Sequence, residues 1–361
     1  MSGAPLRILQ VITDADRRGA QVFAMNLGVA LTDRGHAVQT VALAPGQYDS
    51  VLPLPVLGPQ RLAISTLRSL RKQAGKVDVV IAHGSSTLPA CAIALTGVDT
   101  PFVYRQISDN RFWASSAARR ARARFFMSRA SRIVALADQS RGVLIDYLHI
   151  ASSRIAIVPN GVPSVGFVGV EQRPRRDVLE GVGLDPNAFT VLYVAALVVE
   201  KGADVAIEAV ARIPEAQLLV LGDGPERDAL ERQAATALPG RVAFLGAVDD
   251  VAPYLHASDA MVLPSRGGDS MPASLIEAGF CGTVAVSTPI GAITDIVCHG
   301  VTGVVVPEAD AGMVAEALQQ LGTDPDRRAR LGEASKVHCL ERFEIAVVAD
   351  LWERVLRKSL S

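Results

Sequence analysis

The stretch FTVLYVAALVVEKGADVAIEAV, residues 189–210, changes its hydrophobic period midway. Residues 189–197 form an apolar run, interrupted by Thr190 alone, of the length and composition that a strand covered on both faces needs. Glu200, Lys201 and Gly202 interrupt it, and over 202–212 the apolar residues fall at helical spacing. A strand that turns through a short glycine-containing loop into a helix is the repeating piece of a parallel α/β sheet.

Working outward, the same piece recurs along the chain. In the first half, strands are expected at 6–12, 37–43, 77–82, 101–104 and 132–136. Helices are expected at 20–34, 61–75, 86–97 and 138–148, with one long helical stretch over 111–129. VPNGVPSVGFVGVEQRPRRDV (158–178) is rich in Pro, Gly and charge and reads as a linker. In the second half, strands are expected at 189–197, 216–222, 241–246, 260–264 and 283–287. Helices are expected at 202–212, 225–237, 250–257 and 271–281, and through most of 310–358. The fold class is α/β: two doubly wound Rossmann-like domains, 1–165 and 166–342, facing across a cleft. Open parallel sheets bind ligands beyond the carboxyl ends of their strands, so the cleft is the default site.

Of 361 residues, 49% are hydrophobic and 20% charged, the composition of a folded domain and not of a disordered chain. Net charge is −1, yet residues 1–165 carry 19 Lys/Arg and 9 Asp with no Glu, while 166–361 carry 17 Lys/Arg and 28 acids. That asymmetry suggests two units with different partners. Four scattered cysteines form no CxxC pair and six histidines no HxxxH pair, so neither a disulfide framework nor a metal site is expected. The apolar run at 6–12 is too short for a signal peptide, and a cytoplasmic location is expected.

GGDSMPASLIEAG (267–279) holds two acids, Asp269 and Glu277, eight positions apart. Ser270 can cap a helix and Pro272 is tolerated in its first turn. Side chains on a helix lean toward its N-terminus, so Glu277 leans back toward Asp269. Between the two lie helix amides suited to an anion. One pocket could then serve phosphates and sugar hydroxyls together; a capped helix with an incidental Glu277 is the alternative. Lys201, after a strand end, suits a diphosphate, or is a surface lysine. Gly19 opens the first helix and lets amides approach a phosphate, or makes a tight turn. His83 follows a strand and could face an acceptor, or be structural.

Several stretches together resemble the GT-B glycosyltransferases of family 4. D-x7-E followed by AGFCGTVAV is similar to that family's E-x7-E signature. EKGADVAIEAV (200–210), VLGDGPERDALE (220–231), FLGAVDDVAPYLHASDAMVLPS (244–265), RRGAQVFAMNLGVALTDRGHAVQTVAL (17–43) and VPNGV (158–162) match in the family's order. The resemblance covers nearly the whole chain. It implies transfer of a sugar from a UDP-, GDP- or ADP-sugar donor to an acceptor, with retention of anomeric configuration and without a metal or other cofactor. It implies that Lys201 stabilises the leaving diphosphate and that Glu277 hydrogen-bonds the ribose. It places Asp269 at the donor sugar, the backbone of Ser270, Met271, Pro272 and Ala273 near the phosphates, and the segment of Val248 at the base. It also implies that a C-terminal helix, 343–361, returns to the first domain, and that closure of the domains excludes water.

The chain departs from the family in three places. Ala196 stands where the family has Arg, the first acid is Asp269, and a histidine expected after the 101–104 strand is replaced by VYRQ. Arg17, Arg18, Arg105 and Arg266 are candidates to restore the missing cation. The Arg-rich segment 105–132, with Phe112, Trp113, Phe125 and Phe126, reads either as a solvated helix face or as a peripheral contact with the inner face of a membrane, suited to a lipid-linked acceptor. A glycan or small molecule would also serve as acceptor. No nucleic-acid recognition fold accompanies the patch. Two other readings stay open: a non-catalytic nucleotide-sugar-binding or partner protein, which Ala196 favours, and a related sugar-nucleotide epimerase.

Overall fold

The computed structural model describes residues 4–47, 51–169, 173–268 and 270–360, with Phe112 by its backbone alone. The chain divides into two compact units, Met1–Pro163 with Phe343–Ser361, and Ser164–Arg342.

Unit 1 runs β1 (Arg7–Asp14), α1 (Gly19–Asp33), β2 (Ala37–Ala44), α2 (Ile64–Ala74), β3 (Val79–His83), α3 (Leu88–Ala94), β4 (Phe102–Arg105), α4 (Asn110–Trp113), α5 (Ala117–Ser128), β5 (Arg132–Ala135), α6 (Asp138–Asp146) and β6 (Ile155–Ile157). Unit 2 runs α7 (Arg175–Glu180), β7 (Phe189–Val194), α8 (Ala203–Ala211), β8 (Ala216–Leu221), α9 (Arg227–Ala237), β9 (Val242–Gly246), α10 (Ala252–Ala257), β10 (Ala260–Leu263), α11 (Ala273–Cys281), β11 (Val284–Ser287), α12 (Ile293–Ile296), β12 (Gly303–Val305) and α13 (Ala311–Thr323). Helix α14 (Pro325–Phe343) closes it, and α15 (Ile345–Leu360) belongs to unit 1.

Each unit is built on one six-stranded sheet, ordered β2-β1-β3-β4-β5-β6 and β12-β11-β10-β7-β8-β9. Neighbours pair in parallel throughout. Parallel strands need crossover helices, and those helices cover both faces. In unit 1 the strand period of two sorts the core. Leu9, Val11, Val80 and Ala82 face the side covered by α2, α3, α5 and α6. Ile8, Val79, Ile81 and Val103 face α1 and α15. Helix α15 earns its place by spacing: Ile345, Val348, Ala349, Trp352, Val355 and Leu356 form one apolar stripe against that face. Arg34 fastens it, donating to Asp350 at 2.6 Å and to the Ala346 carbonyl at 2.8 Å. The two chain segments that lead out of unit 1 pair with each other where Val162 bridges Glu344.

Arginines finish several helices. Arg71 donates to the carbonyls of Ala94 and Thr96 at the end of α3, at 2.9 and 2.6 Å. Arg241 does the same for Ile213 and Ala216 after α8, at 3.0 and 2.5 Å. The last carbonyls of a helix lack intrahelical donors, and a guanidinium supplies several at once.

Four expectations need correction. The 111–129 stretch is two helices, because Asp109 and Ser116 each accept a bond from a backbone amide two or three residues on and start separate helices. The 158–178 segment is not linker throughout: Val158 and Val162 are buried, and α7 begins at Arg175. Strands β6 and β12, three residues each, extend the two sheets beyond the strands expected. The 271–281 helix starts at Ala273 with Pro272 as its N-cap, not Ser270; the Ser270 carbonyl instead accepts from Ala292 at 2.6 Å.

Candidate functional site

In unit 2 the winding direction reverses between β7 and β10, adjacent strands that lead to opposite sides of the sheet. The loops that follow such a pair spread apart and leave a crevice at the carboxyl edge. Lys201 stands on one of them, at the end of a 3-10 turn, Val199–Lys201, after β7. The segment 264–272 that enters α11 stands on the other.

These two loops are locked together. Gly202 has φ +68°, and a Cβ there would lie 2.2 Å from the Pro264 carbonyl oxygen, so only glycine fits. The backbone amide of Arg266 donates to the Glu200 carbonyl at 2.8 Å. Its guanidinium holds both oxygens of Asp204, at 2.7 and 2.6 Å, and the Val199 carbonyl at 3.0 Å. Arg266, a candidate for the missing cation, is therefore already engaged in fixing the Lys201 turn. The loop after β8 closes the same edge. Gly222 and Gly224 approach the carbonyl oxygens of Ala195 and Leu197 so closely that a Cβ on either would fall within 2.4 Å. The GDGP glycines thus serve close backbone packing, and Ala196 lies exposed between the two contacts.

Helix α11 opens at this edge with no side-chain cap and no acid in its first turn. Its first amides have no intrahelical acceptor and, with the helix dipole, favour an anion. Ser270 is half-buried and Met271 is buried. Glu277 lies one turn further on, half-buried, with no hydrogen-bond or ion-pair partner among the described residues. Burial pushes its carboxyl up to about 7. Val248 is half-buried in the loop after β9, on the same carboxyl edge. Asp269 lies outside the described residues.

In unit 1 the reversal falls between β1 and β3. A cavity of about 310 Å³ opens there, its wall including Asp14, Gln21, Arg61, His83, Ser86 and Ser108. Gly19 begins α1 beside it. A Cβ on Gly19 would meet nothing within 4 Å, so local packing does not account for the glycine. His83 is buried, and its Nε2 lies 2.9 Å from Gln10 Oε1. Gln10 Nε2 donates to the Ala24 carbonyl at 2.8 Å, which turns Oε1 toward the imidazole and assigns the ring proton to Nε2. His83 Nδ1 is then a bare acceptor, with no partner among the described residues. Burial first, and the charge of Arg105 second, hold His83 well below its ordinary pKa, so the ring is neutral.

Arg105 ends β4 and is wholly buried. It does not line the cavity as a strand-end cation would; it lies beneath, with its guanidinium 3.8 Å over the Phe23 ring. Its Nη2 donates to Asn160 Oδ1, while Nε and Nη1 meet no partner among the described residues. Burial pushes its pKa down to about 9, which still leaves it charged at neutral pH. No sequence pattern marks a buried arginine, since arginine is exposed by default. The carboxyl edges of the two sheets therefore gather Lys201, Ser270–Ala273, Glu277 and Val248 in unit 2, and Gly19 and His83 in unit 1.

The family described as "Glycosyl transferases group 1" matches residues 175–338, and "Glycosyltransferase Family 4" matches residues 17–164. A phosphatidyl-myo-inositol mannosyltransferase of Mycolicibacterium smegmatis is 28% identical over 355 residues, 92% of the chain and 88% of that protein. An alpha-maltose-1-phosphate synthase of the same organism is 26% identical over 246 residues, 63% of each protein and so under two thirds of that relative's length. HepE of Anabaena, solved in complex with UDP, superposes with a TM-score of 0.85 at 20% identity, over 97% of this chain and 99% of its own.

Proposed function

Because the chain belongs to the family 4, group 1 glycosyltransferases of GT-B fold, we propose that it moves a sugar from a nucleoside-diphosphate donor held by unit 2 to an acceptor held by unit 1. One observation carries this reading. Lys201 and the uncapped start of α11 stand on adjacent loops at the switch point of unit 2, a layout for a diphosphate beside a sugar. Lys201 stabilises the diphosphate as it leaves, and the first amides of α11 hold its oxygens. Glu277 accepts hydrogen bonds from the ribose hydroxyls, and the backbone around Val248 meets the base. Asp269 faces the donor sugar. The anomeric carbon loses its bond to the phosphate oxygen and gains one to the acceptor oxygen on the same face. The acceptor proton passes to the departing diphosphate, and no metal is required. HepE, a structural neighbour, has been solved with UDP and with UDP-glucose, which supports a nucleotide-sugar donor here.

The acceptor belongs in the unit 1 cavity, whose wall includes His83 and Ser86. The exposed side of α5 adds a peripheral membrane contact at the inner face. Arg119, Arg122 and Arg124 have no ion-pair partner among the described residues, and Phe125 beside them is 62% exposed, a basic face with an aromatic that suits anionic headgroups. Incubation with UDP-, GDP- and ADP-sugars tests the central reading. Release of nucleoside diphosphate that depends on an added acceptor supports it; sugar rearrangement from donor alone, or no turnover of any donor, removes it.

A further inference from the structure

Of the arginines that line the unit 1 cavity, Arg18 lies 2.5 Å from Asp14 and 3.7 Å from Asp16, whereas Arg61 meets no opposite charge among the described residues. Asp14 also accepts from Gln21 at 3.1 Å. Arg61 donates to Ser86 Oγ at 3.1 Å. Beneath the floor lies Arg105, wholly buried, its acceptor a neutral amide. The N-terminus of α1, a helix of 15 residues with no acid in its first turn, contributes Ala20 and Gln21 to the same wall. A buried cation without a counter-charge is costly, and a guest of opposite sign offsets that cost where water is partly excluded.

The polar groups of the cavity are also sorted. His83, a lining residue held neutral, offers no charge to an anion. Arg61 stands with Ser86 and offers only donors to an anion. Orphaned buried polar atoms among the described residues include atoms of His83, Arg105, Gln106 and Asn110, and of these four residues only His83 lines the cavity. Native proteins leave few such atoms, and those that remain call for a partner.

We infer that this cavity takes a hydroxylated acceptor bearing an anionic group, a phosphate monoester or a carboxylate, with its reacting hydroxyl toward His83 and its anion at Arg61. The inference rests on the assignment of the acceptor to unit 1. Arg61 then selects the acceptor: its planar guanidinium holds two anion oxygens at once, which a lysine would not reproduce.

Calorimetric titration of the full-length chain tests this with three matched probes, glucose, glucose 6-phosphate and glucuronate, at constant ionic strength. At least one anionic probe is expected to bind tenfold or more tightly than glucose. Whichever anion wins tells phosphate from carboxylate. In Arg61→Ala, whose exposed side chain leaves the melting temperature unchanged, that advantage disappears; in Arg61→Lys part of it returns. Equal binding of the three probes, no binding of any, or an advantage that survives Arg61→Ala overturns the inference. Failure of the functional reading looks different. Anion binding lost in Arg61→Ala, with no donor turnover under any condition, would leave the anion site standing and remove the transferase assignment.

Discussion

Arg266 grips Asp204 through two hydrogen bonds, 2.7 and 2.6 Å long, and so ties the loop after β10 to the first turn of α8, with Lys201 between them. Both side chains are partly exposed, so the pair itself contributes at most about 1 kcal/mol to stability. Its greater effect is on position. Arg266→Ala is expected to leave the melting temperature within a few degrees of wild type and to raise the KM for the donor severalfold. An unchanged KM in steady-state kinetics would show that the Lys201 turn keeps its place without the clamp.

Lys201 itself is expected to matter to rate far more than to folding. Removing a group that meets charge developing in the transition state typically costs about 10²–10³ in kcat. Lys201→Ala should therefore fold with wild-type circular dichroism and lose donor turnover by that order. Full turnover in the variant would return the residue to the solvated surface.

Glu277 is expected to make donor binding sensitive to pH. Its folded pKa, about 7, lies above the ordinary carboxyl value of 4.5, so the native state binds this proton more tightly than the unfolded chain does. The stability it contributes is complete below about pH 4.5 and is lost as pH rises to about 7. The loss is between about 1 and 3 kcal/mol, the lower figure allowing for solvent at a half-buried group. Glu277→Gln is expected to match wild type at pH 4.5 and to exceed it in denaturant midpoint at pH 8. Donor affinity should move the other way in wild type, weakening below pH 7 as the hydroxyl-accepting carboxylate is protonated. Parallel pH profiles for the two proteins would refute both effects.

Trp352 couples α15 to the cavity of unit 1. It is fully buried, with its ring 6.2 Å from that of His83. Truncating a buried tryptophan costs about 3–5 kcal/mol, so Trp352→Ala should lower the free energy of chemical unfolding by that amount. Trp352→Phe should recover much of it. A loss below 1 kcal/mol would mean that α15 adds little to the face it covers.

The basic side of α5 is tested by flotation with anionic and neutral liposomes. Each arginine near an anionic surface contributes about 1 kcal/mol. Reversing Arg119, Arg122 and Arg124 to Glu should abolish flotation with anionic liposomes and leave folding intact. Equal flotation of both proteins would remove the membrane contact.

The fold class was legible because buried parallel strands are near-continuous apolar runs, and 189–194 or 79–83 look like nothing else. What escaped was short or carried no period. Three residues, as in β6 and β12, are too few to show an alternation. The break between α4 and α5 was present as two capping residues, Asp109 and Ser116, but helical spacing across it hid them. Ser270 was expected to cap α11 because serine favours that place, yet proline with φ −65° and ψ 126° takes it and Ser270 bonds elsewhere. Residue type singled out Lys201 and His83, which lie after and at strand ends, and Glu277, which lies within α11. It said nothing of the neutral state of His83 or the burial of Arg105, since both arise from elements distant in sequence that meet only in the fold.

The return of α15 has a consequence for biosynthesis. Helix α15, which shares one face of the first sheet with α1, is made after the whole of unit 2, so on the ribosome its part of that face stays open while about 180 further residues emerge. Unit 2, a single uninterrupted segment, can reach its native state first, although it is second in the polypeptide. Premature termination before residue 345 would leave nascent unit 1 with that part of its oily side bare, a substrate for chaperones instead of a finished domain.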